Sequence, residues 1–126
     1  MTTPVDGPHQ YLEGQTVKIP IEFFSPGSGA ALVDPDPETS IVVYVTPPGE
    51  PTLKYGYPTG PDGNVNKEAT GEYYIFVPLP QSLTNIGRRW YYRAEAIGEF
   101  GGEAITWCEE YYFDVRDSDI TPYTGP

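Results

Sequence analysis

The chain holds one cysteine and one histidine in 126 residues. A single thiol, Cys108, excludes an intramolecular disulfide and a cysteine-rich zinc site, and the lone His9 leaves no second imidazole for a typical catalytic metal cluster. Basic residues are also few: 7 Lys and Arg stand against 18 Asp and Glu, for a formal net charge of -11. Such a surface repels phosphate backbones and anionic lipid and mainly favours solubility. The sequence lacks an apolar run of about 18 residues, and Met1 is not followed by a basic segment and an apolar stretch. Neither a membrane span nor a secretory signal peptide is expected. No nucleic-acid partner, membrane partner, metal-ligating cluster or cofactor is expected from these counts.

What is present is turn chemistry and aromatic bulk. Fourteen glycines, fifteen prolines and eleven tyrosines suit short strands joined by turns and leave little room for long helices. The length matches one domain. Residues 1–10 carry two prolines, a glycine and almost nothing bulky, and read as an N-terminal arm; residues 116–126 read as a second, shorter tail. Between them the apolar pattern has a period of two, the signature of strands with opposite faces. In 15–24, Val17, Ile19, Ile21 and Phe23 alternate with Lys18, Pro20 and Glu22, and Pro20, which has no N–H to donate, marks an edge or a bulge. The stretch 25–38 reads as a turn-rich connection from which Leu32 and Val33 plug the core. Residues 40–46 and 51–58 form an expected hairpin, 59–66 a loop, and 71–79 a strand covered on both faces.

Two further runs complete the pattern. In 88–98, Trp90, Tyr92, Ala94 and Ala96 share one face. In 103–115, Ile105, Trp107, Glu109, Tyr111, Phe113 and Val115 share one face, which aims Glu109 inward among aromatics unless a bulge near 108–110 relieves it. About seven such strands predict an all-β, two-sheet sandwich of the immunoglobulin-like kind over residues 11–115. Its expected core includes Val17, Ile19, Ile21, Val43, Val77, Trp90, Tyr92 and Phe113.

The most specific local feature is Thr70-Gly71-Glu72-Tyr73-Tyr74-Ile75. It resembles the tyrosine corner of immunoglobulin-like sandwiches, with Gly71 in the turn, the Tyr73 hydroxyl bonding backbone, and Ile75 in the place of that family's cysteine. Over about residues 11–115, the ordered elements Gly14-x-Thr16-Val17-x-Ile19, Asp34-Pro35, Val43-Tyr44-Val45, Pro47-x-Gly49, Tyr55-Gly56-Tyr57, Thr70-Gly71-x-Tyr73 and Trp90-Tyr91-Tyr92-Arg93 resemble small immunoglobulin-like proteins encoded among the structural genes of tailed bacteriophages. The resemblance implies a virion accessory component without enzymatic activity, made in the bacterial host cytoplasm. Capsid decoration is the first expectation, and a head-to-tail or tail component the alternative. Its partners would be capsid or other virion proteins, with self-association a further contact. The long proline-rich termini and Trp107-Cys108-Glu109-Glu110 depart from the usual pattern.

Catalytic readings are weak. His9 lies in the expected arm, Cys108 has no cationic neighbour in sequence and reads as a buried or half-buried structural thiol, and Glu109 and Glu110 point to opposite faces of a strand and so do not flank one bond. Asp34-Pro-Asp36-Pro-Glu38 lacks the spacing of a calcium loop and reads as a solvated acidic turn; the same holds for Asp114, Asp117 and Asp119. Arg88 and Arg89 read as solubilising a strand start. A carbohydrate-binding module contacting host surface glycans is the alternative from another class, its platform drawn from Tyr55, Tyr57, Tyr91, Trp107 and Tyr112 and tested by whether the tryptophans are exposed. The expected partner contacts are Pro4, Val5 and His9 in the arm and Ile120 and Tyr123 in the tail, ordering against a neighbouring subunit.

Overall fold

The structure is a computed structural model that describes residues 9–27, 29–79 and 89–116, with side chains from Tyr11 onward. Nine strands run in chain order: β1 (His9–Leu12), β2 (Thr16–Glu22), β3 (Val42–Thr46), β4 (Leu53–Gly56), β5 (Gly63–Asn64), β6 (Asn66–Ala69), β7 (Glu72–Pro78), β8 (Arg89–Phe100) and β9 (Glu103–Arg116). They form two sheets. The larger has the order β1-β9-β8-β3-β4-β5 and the smaller β2-β7-β6. This is an all-β immunoglobulin-like sandwich. The helical content of the described residues is one 3-10 turn at Glu38–Ser40.

The period of two works as read. Val17, Ile19 and Ile21 of β2 and Tyr73, Ile75 and Val77 of β7 project inward against Val43 and Val45 of β3, Trp90, Ala94 and Ala96 of β8, and Phe113 and Val115 of β9. Each buried aliphatic side chain contributes on the order of 1.5–3 kcal/mol. Tyr92 is half-buried and packs against this core rather than within it. The predicted hairpin is β3–β4, paired antiparallel from Val42↔Gly56 to Val45↔Leu53.

Several expectations are corrected. The first strand starts at His9, inside the segment that the sequence reads as an arm, and runs parallel to β9 from His9↔Phe113 to Leu12↔Arg116. The 59–66 segment is more than a loop: it holds β5, and Val65, flanked by two asparagines, is a fully buried core residue. The polar strand β6 pairs with β7. The outer face of β7 is not covered by the described residues; Phe76 there is 49% exposed. Leu32 and Val33 are half-buried, held by the bridge Phe24↔Leu32 and the bond from Val33 N–H to Phe23 O, while Pro35 beyond them is fully buried.

The turn glycine and the inward Ile75 expected of a tyrosine corner are present, but the hydroxyl bond that defines the corner is replaced by side-chain partners. Gly71 has φ +71, the left-handed region that glycine occupies without strain, and a Cβ there would meet the Val33 backbone nitrogen at 2.7 Å. Ile75 is fully buried. The buried Tyr73 hydroxyl does not bond backbone; it donates to Glu38 Oε2 at 2.5 Å, with Asp34 Oδ1 at 3.0 Å as a second acceptor for the same proton. Asp34 Oδ1 also accepts the Gly71 N–H at 2.7 Å, and Lys67 Nζ bridges Asp34 and Glu38 at 2.9 and 2.8 Å. Asp34 and Glu38 of the supposed solvated acidic turn therefore belong to a knot joining the 33–38 connection to β6 and β7, while Asp36 is exposed as read.

The knot sets the ionisation of its members. Burial works against the Asp34 carboxylate, but the bonds from Gly71, Lys67 and Tyr73 outweigh it and hold its pKa below the ordinary value. Lys67 and then Tyr73 lower that of Glu38. Burial, reinforced by both carboxylates, raises Tyr73, so its phenol stays protonated and donates.

Two outcomes follow from this packing. Ile75→Ala removes a core side chain from the middle of β7 and is expected to cost about 2–5 kcal/mol in urea unfolding. A carboxyl group with a lowered folded pKa adds stability that is present above its unfolded pKa and lost as pH falls through the folded value. Stability is therefore expected to drop on acidification below about pH 4, and D34N/E38Q to flatten that decline; an unchanged acid limb in the double variant would show the knot to be energetically silent.

Candidate functional site

The larger sheet has more inner surface than the smaller one covers. Its longest element is the β8–β9 hairpin, paired without interruption from Arg89↔Asp114 to Phe100↔Glu103. No bulge occurs at 108–110. Glu109 keeps its place in the alternation and avoids burial because no strand of the small sheet lies over this part of β9; it is exposed. Along β9, β1 covers the free edge only from Phe113 to Arg116, so residues 103–112 have no second neighbour among the described residues. On the opposite layer β2 is the edge strand.

The unpaired side of β2 can be assigned from its bonds. Phe23 N–H reaches Gly71 O and Leu79 N–H reaches Gln15 O. In an antiparallel ladder alternate residues turn both backbone groups to the same neighbour, so the odd residues of β2 face β7 and Thr16, Lys18, Pro20 and Glu22 face outward. Pro20 offers no N–H there, which confirms the edge reading of this proline.

Between the two edges lies a groove of about 660 Å³, bounded by Tyr11 and lined by β2 and by the inner face of β8 and β9. Its floor is aromatic. Phe23 meets Trp107 edge-on with ring centroids 5.7 Å apart, and Tyr92 stacks on Tyr111 at 5.4 Å. Trp107 is half-buried, and its indole N–H donates to Phe24 O at 2.9 Å, which fixes the ring across the groove. Tyr111 donates its hydroxyl to Glu109 Oε2. Burial, then Glu109, then more remotely Tyr92 and Glu22, raise the Tyr111 pKa, so the phenol remains a donor. Burial also pushes Tyr92 up to about 12. Lys18 also lines the groove, but its ammonium is committed elsewhere: it pairs with Glu68 at 2.8 Å and sits 4.5 Å from the centre of the Tyr74 ring.

A second cleft of about 680 Å³ opens at the other side of the sandwich beside Leu53, Tyr55, Asn64, Phe76 and Trp90. Trp90 is buried and its indole nitrogen has no hydrogen-bond partner among the described residues. On the outer face of the large sheet Tyr91 and Tyr112 lie at 6.3 Å, with the Arg89 guanidinium 3.9 Å from the Tyr112 ring and paired to Asp114 at 2.9 Å. Arg89 therefore packs and pairs as well as solubilising.

The sequence-predicted residues separate accordingly. Pro4, Val5, Ile120 and Tyr123 lie outside the described residues, as do Arg88, Asp117 and Asp119; the backbone of His9 is in β1. Cys108 is exposed rather than buried or half-buried, because its even position in β9 faces away from the core. Of the aromatics offered as a sugar platform, Tyr55 is buried, Tyr57 and Trp107 are half-buried, and only Tyr91 and Tyr112 are exposed. Glu22 and the groove itself were not legible, since they depend on which strand ends a sheet. No group of three or more His, Cys, Asp or Glu residues suited to a metal occurs among the described residues.

No family model and no curated protein matches the chain. Among solved structures it is similar to a DUF4785 family protein from Legionella pneumophila subsp. pneumophila strain Philadelphia 1, with a TM-score of 0.61 and 17% identity over 88% of this chain. The aligned part is 27% of that protein's length, and at this identity the likeness is one of fold: the sandwich described above.

Proposed function

We propose that the chain is a non-enzymatic adhesion module, an accessory structural protein of a tailed-phage virion that decorates the capsid. The observation that carries the adhesive part is the open groove between the free edges of β2 and β9. It combines aromatic area with rigid strand placement, and aromatics give contact area at small rotamer cost. The virion part rests on the ordered sequence resemblance across residues 11–115. An all-β body with its recognition surface on strands supports attachment without a conformational change.

Quantitative mass spectrometry of purified source particles, counting this chain against the major capsid protein, is the test. A copy number comparable to the capsid protein is the expected result. A few copies per particle would transfer the chain to the neck or tail, and its absence would overturn the virion reading and direct the search to glycans.

A further inference from the structure

The groove has an unbalanced rim. Glu109 stands on its β9 side and Glu22 on its β2 side, and Tyr111, hydrogen-bonded to the first, feels the charge of the second. Neither carboxylate is ion-paired with a Lys or Arg among the described residues, since Lys18 is turned to Glu68 and Arg93 to Glu95 and Glu110. Two carboxylates bordering one aromatic floor without an ion pair among the described residues select a cation flanked by apolar groups. An extended chain supplies that alternation, because successive side chains point to opposite sides, and its backbone can meet the outward carbonyls of Lys18, Pro20 and Glu22.

The chain's own ends do not supply it. Residues 1–8, MTTPVDGP, and 117–126, DSDITPYTGP, contain aspartates and no Lys or Arg. A tail from a second copy would bring like charge to the rim. We infer that the groove between β2 and β9 is a docking site for an extended, basic-apolar segment of a different protein, with a Lys or Arg held between Glu22 and Glu109 and apolar side chains against Phe23 and Trp107. This deepens the adhesion reading by naming the chemistry of the partner, and it assigns attachment to the strands rather than to the arm or the tail.

The test titrates the full chain with three synthetic peptides: an octapeptide of alternating valine and lysine, its valine and glutamate counterpart, and the chain's own 117–126 sequence. Binding is followed by indole fluorescence and by amide and indole chemical shifts. The valine–lysine peptide is expected to shift Trp107, Glu22 and Glu109 and to weaken with added salt. E22Q/E109Q, whose carboxylates lie outside the core, is expected to bind it about tenfold more weakly while keeping the parent melting temperature. No shift in the groove, equal binding of the glutamate peptide, or preferential binding of the 117–126 peptide would each overturn the inference. Counting E22Q/E109Q on particles separates the two proposals. Parent-like incorporation of the variant would overturn the groove as the attachment site and leave the virion reading standing, whereas absence of the unmodified chain from particles alongside peptide binding would do the reverse.

Discussion

The constraint that organises this molecule is a mismatch of areas. Six strands form one sheet and three the other, so the inner face of the large sheet cannot be covered by the small one. Where the layers overlap, the alternation of apolar residues gives a dry core from Val17 to Val115. Where they do not, the same alternation continues and places Trp107, Glu109 and Tyr111 on a face that no described strand covers. The groove is thus a product of sheet topology. Its aromatic floor is the ordinary inward pattern of β9, carried past the point at which burial ends.

Closure of the sandwich depends on the knot around Tyr73. The 33–38 connection has little apolar material of its own, and hydrophobic burial alone holds it weakly. Two carboxylates, one lysine, one phenol and one backbone N–H compensate, each group satisfying another. A partly exposed ion pair alone adds little; its coupling to the buried phenol, which has few other acceptors, makes the arrangement directional.

The fold was largely legible because period-two patterning survives in every long strand. β2, β3, β7, β8 and the core residues on them follow from sequence alone. What escaped has specific causes. Val65 sits between Asn64 and Asn66 and reads as loop, and β6, Asn66–Ala69, is too polar to signal a half-buried strand. Asp34 and Glu38 looked like a solvated turn because their partners, Lys67 and Tyr73, lie far along the chain. Glu109 suggested a bulge only on the assumption that β9 is covered throughout. Cys108 is different: its position next to inward-facing Trp107 already placed it on the outer face, and the alternation was the signal to follow. Pro20 signalled the β2 edge; the groove also required knowing that most of β9 is a sheet edge facing it, information that one strand does not carry.

Pro20 has a consequence for the behaviour of the protein at high concentration. An uncovered edge strand is a template on which like chains stack into fibres, and the risk grows with crowding. On the outward side of β2 the ladder donor is missing at Pro20, and its neighbours Lys18 and Glu22 bring charge that each added copy would have to desolvate. Edge-to-edge polymerisation is thereby discouraged while the adjoining aromatic surface stays open. The outward edge of β2 is therefore a poor template for a second copy.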